Sequence, residues 1–330
     1  MSGTFSDPRI SGRFEMAGVS YDGHEFGAAA GNVVYRKNLL EVSDLAATFS
    51  DASGGRTVTT LRGLIRFPDA RDIFDFRGPR YELRATVADV ELDRAIRFVY
   101  RGQLPVSSKG RLDTEFTIIG PGPKPAYAGT LRTRALQVNG YPLDSAQAAF
   151  SYDAIGGLSF RSGVLKRGDS SLGIEGTVLP DDRFHFLASG SNINLRDVVP
   201  RAFPADARLA VRAEGNGTFS DPDITLVGTL SSGSFRKIEV GRGTFRAKVR
   251  GRTLDISATL LEERVIFSGV AELTGDMPWR ARLELKTGRY DFLIGSILRD
   301  VPEDLLMNIR GQAELSGDRN RFAATASVQQ

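Results

Sequence analysis

The chain has 330 residues, 41% of them hydrophobic, which is enough to bury a large apolar surface. Its 43 basic and 40 acidic residues leave a formal charge of +3 and are scattered along the chain, which excludes the basic stripe of a nucleic-acid binder. The absence of cysteine excludes disulfides and thiolate metal sites, and no run approaches the roughly 18 apolar residues of a membrane-spanning helix.

The first recognisable element is Gly3-Thr4-Phe5-Ser6-Asp7-Pro8-Arg9-Ile10, which returns as Gly217-Thr218-Phe219-Ser220-Asp221-Pro222-Asp223-Ile224. It reads as a strand end, then a Ser-Asp-Pro turn in which proline fixes φ and the aspartate bonds its own backbone, then a new strand. From Arg9 to Leu40 the period is two: Ile10, Gly12, Phe14, Met16 and Gly18 alternate with Arg9, Ser11, Arg13, Glu15 and Ala17. Residues 45–49 and 58–67 continue the pattern on either side of Asp51-Ala52-Ser53-Gly54-Gly55, a turn composition that predicts neighbouring antiparallel strands.

A second marker starts at Tyr81, where the strand Tyr81–Val87 precedes a predicted short helix over 89–100, with Leu92, Ile96 and Val99 at helical spacing. It returns from Phe184, with a helix expected over 193–199, and from Trp279, with one over 290–298. Leu83, Phe186 and Leu283 mark the same register. The period of about 100 residues predicts units of seven or eight strands and one short helix, stacked so that each covers its neighbour. The expected organisation is one continuous array over 1–330, with partial units at 1–80 and 279–330 and whole ones at 81–183 and 184–278. Opening and closing inside a unit, the chain reads as a fragment of a longer protein.

Catalytic chemistry is not legible. His24 and His185 have no metal-ligand partner at helical or hairpin spacing, and His185, between Phe184 and Phe186, is expected on the opposite face of its strand. Gly120-Pro121-Gly122 and Gly241-Arg242-Gly243 do not continue as dinucleotide loops, and Asp181-Asp182 and Glu262-Glu263 fall in predicted turns. The expectation is a protein that is not an enzyme and needs neither metal nor cofactor.

What remains is one hydrophobic side per strand. Its members are Ile10, Phe14, Met16 and Leu83, then Leu172, Ile174, Phe184 and Phe186. Further on come Ile224, Leu226, Leu230, Leu254, Ile256, Val265, Phe267, Leu283 and Leu285. Periodicity alone fits an ordinary sandwich core equally well. Too few long helices to cover a large sheet, and glycines set among the large side chains, favour a strongly curved sheet with an open apolar face. Such a face exceeds what a soluble monomer normally exposes and implies an apolar ligand.

The Gly-Thr-Phe-Ser-Asp-Pro-x-Ile turn followed by Gly228-Thr229-Leu230, runs such as Leu136-Gln137-Val138-Asn139-Gly140-Tyr141-Pro142-Leu143, and the recurring short helix resemble the repeats of the TamB and AsmA-like proteins of Gram-negative bacteria. The resemblance covers Gly3 to Val328; the third turn, Gly317-Asp318-Arg319-Asn320-Arg321-Phe322, lacks the proline. It implies a mostly β, elongated, repeat-built antiparallel sheet curled into a U-shaped trough, the β-taco, with a few short helices. It further implies a periplasmic location, an inner-membrane anchor outside this chain, and phospholipid carried between inner and outer membranes along the apolar lining. The alternative it implies is a scaffold for assembly of outer-membrane β-barrels with an Omp85-type partner.

Overall fold

The computed structural model describes residues 2–4, 7–21, 24–50, 56–68, 78–93, 95, 107–198, 205–235, 238–239, 241–290 and 308–329. Nineteen strands of 8 to 15 residues and two short pieces make up nearly all of it. They form two compact units, residues 1–165 with 177–181, and 166–176 with 182–330.

Unit 1 holds β1 (Ser2–Thr4), β2 (Asp7–Tyr21), β3 (His24–Arg36), β4 (Leu39–Ser50), β5 (Arg56–Arg66), β6 (Arg80–Glu91), β7 (Ser108–Pro121), β8 (Ala126–Val138), β9 (Tyr141–Asp153) and most of β10 (Gly157–Arg167). Unit 2 holds most of β11 (Ser170–Val178), then β12 (Arg183–Asn194), the single turn α1 (Leu195–Val198), β13 (Ala205–Thr218), β14 (Pro222–Phe235), the two-residue β15 (Ile238–Glu239) and β16 (Gly243–Arg250). It continues through β17 (Thr253–Leu260), β18 (Val265–Glu272), β19 (Trp279–Arg289), β20 (Asn308–Gly317) and β21 (Phe322–Gln329). Each unit is an antiparallel meander, every strand paired with its chain neighbours except where β14 passes over β15 to β16, and the sheet is open. The expected class, a mostly β antiparallel sheet with only a few short helices, is the observed one, and the described residues hold almost no helix.

The repeated turn is a structural repeat. Gly3 pairs with Pro8, Gly217 with Pro222 and Gly317 with Phe322, the same five-residue offset in all three copies. The bonding inside it differs from the expectation. In the second copy the Asp221 amide donates to the Thr218 hydroxyl (3.1 Å), and Thr218 and Asp221 exchange backbone bonds at 3.2 Å. The third copy, without proline, uses the aspartate: Asp318 Oδ1 accepts from the amides of Asn320 and Arg321 at 2.7 and 2.9 Å. The hairpins also fix which aromatics correspond: Tyr81 pairs with Gly120, Phe184 with Gly217 and Trp279 with Gly317. Trp279, and not Ala281, therefore stands where Phe184 stands, and the expected equivalence of Leu283 with Phe186 is off by two residues.

Two sequence expectations are corrected. Counted from β6 to β11, or from β12 to β18 without the two-residue β15, a repeat has six strands instead of seven or eight. The strands are longer than turn composition implies because bulges absorb irregular residues without ending them, as between Val87 and Val90 or Ser191 and Ile193. The helices are also shorter than expected. Val90 and Glu91 still belong to β6, with helical residues only at Leu92, Asp93 and Ala95; Ile193 and Asn194 belong to β12, leaving α1 four residues. Ile96, Val99 and the helix expected beyond Tyr290 lie outside the described residues.

Candidate functional site: an apolar face in each unit

Side chains of directly paired residues in an antiparallel ladder stand on the same face, so register traces each face strand by strand. In unit 1 one row is Ile10, Tyr35, Leu40, Ile65 and Tyr81. The next is Gly12, Val33, Val42, Gly63, Leu83, Ile118, Tyr127 and Tyr152. Phe14 with Gly31, and Met16 with Ala29 and Ala47, begin two further rows. The four candidates of this unit, Ile10, Phe14, Met16 and Leu83, thus share one face. Val42, Ile65, Phe67 and Leu83 are buried there, with Val33, Leu40, Leu45, Leu61, Tyr81 and Ile118 packed on them. The burial comes from neighbours on the same face, as a sheet curled toward that face produces.

In unit 2 the rows are equally regular. Phe186, Gly215, Ile224, Val249, Leu254, Ala271 and Trp279 form one. Ala188, Ala213, Leu226, Ala247, Ile256, Gly269 and Ala281 form the next, and Gly190, Val211, Gly228, Phe245, Ala258, Phe267 and Leu283 the third. A fourth holds Ile193, Leu209 and Leu230, continued at the far side by Val265 and Leu285. Phe184 lies two residues before Phe186 on β12. Leu172 and Ile174 share the face of Gly176, where an added Cβ would stand 2.9 Å from the Cβ of Phe186. All thirteen candidates of this unit therefore lie on one face.

Large and small side chains alternate along these rows, and the contacts explain why. A methyl group on Gly215 would collide with the Phe186 ring, one on Gly228 with the Phe245 ring, and one on Gly317 would stand 3.0 Å from the Trp279 indole. Rings lie across the neighbouring glycine, giving a level apolar floor. A depression of about 590 Å³ lies over β13, β14, β16, β17 and β18, lined by Val211, Gly228, Phe245, Ala258 and Phe267 together with residues of the opposite face, among them Arg212, Thr229, Arg246 and Ser257.

The opposite faces are polar. Ion pairs join Arg84 to Glu115, Arg66 to Glu82 (3.5 Å), Arg111 to Asp89 (2.6 Å) and Lys248 to Asp223 (3.4 Å). His185 is exposed on this side, opposite Asn216. Within each unit, the described elements that pack closely on one another are strands adjacent in the sheet, with α1 on β12 and β13, so among the described residues of a unit no second layer lies on its apolar face. Within each unit the described strands form one layer, not the two of a sandwich. Phe186, Ile224, Leu226, Phe267 and Leu283 are half-buried, and Ile256 and Met16 are 36% and 47% exposed. A cluster of buried residues in unit 2, Leu261, Val265, Tyr290 and Ile309, lies at one end of the strands.

Sequence reasoning overlooked part of the lining. Phe116 contacts Tyr127 and Phe150 at centroid distances of 6.2 and 6.3 Å, and Phe245 flanks the depression. The signal was present: Tyr127-x-Gly129-x-Leu131 and Phe245-x-Ala247-x-Val249 carry the same alternation as the residues selected. Glu262 and Glu263 lie in the turn after β17, at φ 56° and 68°, and Asp181-Asp182 lie between β11 and β12, as expected. Among the described residues, no three His, Asp or Glu side chains gather as a metal site would require, and no helix is long and apolar enough to cross a membrane. Comparison with protein-family models, with curated proteins and with solved structures finds no match.

Proposed function

We propose that this chain is part of a TamB or AsmA-like conduit, in which an apolar sheet face shields phospholipid acyl chains between the inner and outer membranes of a Gram-negative bacterium. The observation that carries the reading is an apolar face in each unit on which, among the unit's described residues, no second layer lies. Each methylene removed from water gains about 0.8 kcal/mol, so a chain of sixteen carbons gains on the order of 10 kcal/mol on such a face. Contacts of this kind have no preferred direction. Rows of rings levelled by glycines offer similar contacts from strand to strand, which allows a chain to slide without deep traps. No covalent step is required, and in this reading the chain is periplasmic and tethered to the inner membrane by a segment outside it.

The test is mass spectrometry of lipid co-purifying with the chain. Phospholipid bound in defined stoichiometry is the expected result, and protein that binds no acyl compound overturns the reading. A second reading, a scaffold for outer-membrane β-barrels that works with an Omp85-type partner through paired strand edges, would be favoured by crosslinks from the chain to a nascent barrel strand.

A further inference from the structure

The turn ends of the unit 1 strands carry a row of like charge. Arg9 pairs with Arg36, Arg36 with Leu39, Leu39 with Arg66, and Arg66 with Arg80. Four arginines thus occupy five consecutive positions across the sheet, and Arg36, Arg66 and Arg80 are terminal residues of their strands. All four are exposed. The only ion pair involving them among the described residues is Arg66 with Glu82 at 3.5 Å, both side chains 54% exposed. Like charges placed directly opposite one another destabilise a sheet, so the row is a cost that the fold itself does not explain.

The same ends of unit 2 are built differently. The corresponding row there reads His185, Asn216, Asp223, Arg250, Thr253 and Glu272, in which two acidic residues stand with one arginine. A row of like basic charge therefore stands at these ends in unit 1 and not at their counterpart in unit 2. One residue along each strand from the arginines, and on the opposite face of the sheet, lies the apolar row Ile10, Tyr35, Leu40, Ile65 and Tyr81, so the two rows meet only round the strand ends. An arginine at a strand terminus has the reach to bring its planar fork of donors round the sheet end, beside that row, and the fork matches phosphate geometry.

We infer that Arg9, Arg36, Arg66 and Arg80 form an anionic head-group track, which holds the phosphate of a lipid whose acyl chains lie on the apolar face of unit 1. The inference rests on the conduit reading and adds to it an orientation, with head groups at the turn ends of β2–β6, and a selectivity for anionic over uncharged lipid. Phosphates repel one another as the arginines do, so a file of lipids spaced along the row relieves both.

The test compares uptake of fluorescent phosphatidylglycerol and fluorescent diacylglycerol by the whole chain and by the triple variant Arg36→Gln/Arg66→Gln/Arg80→Gln, with thermal melting of both proteins. Wild type is expected to prefer phosphatidylglycerol, and the preference to weaken with added salt. The variant is expected to lose roughly tenfold or more in phosphatidylglycerol affinity, keep its diacylglycerol affinity, and melt no lower than wild type. Equal binding of the two lipids by wild type, or a variant that still prefers phosphatidylglycerol, overturns the track and leaves the conduit standing. Binding of neither lipid overturns the conduit and the track with it. Salt-sensitive binding to intact phosphatidylglycerol vesicles without uptake of lipid also overturns the track, assigning the row to a membrane surface.

Discussion

Gly228 and Phe245 are direct register partners on β14 and β16, and the phenyl ring of one occupies the space a side chain of the other would need. The pair shows how the apolar face is made level. A central strand sacrifices one side chain, and the neighbouring ring lies over the vacated backbone.

Gly228→Ala is therefore expected to push Phe245 off its site, costing about 1–3 kcal/mol of the stability of unit 2 and roughening the floor of the adjacent depression. Gly12→Ala is the control, since nothing lies within 4 Å of a Cβ built there. That change should be neutral or slightly stabilising, because alanine loses less backbone entropy than glycine in a strand. Thermal melting of both variants checks the pair: equal effects would mean that the ring over Gly228 has no role in packing.

Tyr290 ties down one end of unit 2. Its hydroxyl lies 2.6 Å from the Lys286 carbonyl and 3.0 Å from that of Arg264, and its ring is buried against Leu261, Val265 and Ile309. Tyr290→Phe should cost about 1 kcal/mol or somewhat more, since the ring remains and only the hydrogen bonding is lost. Burial raises the phenol above its ordinary value near 10, with Arg264 opposing. The folded chain thus keeps the proton longer than the unfolded one. The contribution to stability is complete below pH 10 and is lost as pH rises from there through the folded value. Melting of wild type and Tyr290→Phe should converge above pH 10; curves that stay parallel would count against this role.

The turn between β9 and β10 is held by Asp153, whose Oδ1 accepts from the amides of Ile155 (2.8 Å) and Gly156 (2.6 Å). These amides, that of Gly156 first, lower its pKa. The sign is opposite to that of Tyr290: the contribution is present above the ordinary carboxylate range and disappears as pH falls through the lowered folded value. Asp153→Asn keeps an acceptor without the charge and should remove that acid dependence, read as hydrogen exchange of the Ile155 and Gly156 amides between neutral pH and pH 3. Unchanged dependence in the variant would exclude Asp153 as its source.

Alternation in sequence reveals most of the faces because side-chain direction in a strand has period two, and a run such as Ile224-x-Leu226-x-Gly228-x-Leu230 has no bulge within it. Alternation fails where a bulge changes parity. Asp89 sits at φ 58° between the paired residues Val87 and Val90, and composition alone gives no mark of the shift. The Leu92, Ile96 and Val99 spacing matched a helical face, yet the strand before it continues to Glu91, because pairing with Arg111 outweighs local propensity. The arginine row was invisible for another reason: Arg9, Arg36, Arg66 and Arg80 are far apart in sequence, and only register sets them side by side.

The sharpest test of the face itself is Phe267→Glu. Phe267 sits on β18 between Ala258 and Leu283, half-buried, in the row that borders the depression. With no second layer over it among the described residues, a carboxylate placed there keeps contact with water. The variant should therefore fold, losing only the packing of one ring, about 1–3 kcal/mol. In a closed core the same change would bury an unpaired charge, costing several kcal/mol beyond the lost ring and unfolding the unit. The charge would also stand in the path of an acyl chain, so bound lipid should fall sharply while circular dichroism keeps the β signature of wild type. A variant that is folded and depleted of lipid is the expected result. Unfolding at room temperature would mean that the face is covered, and undiminished lipid in a folded variant would place the acyl chains elsewhere on the molecule.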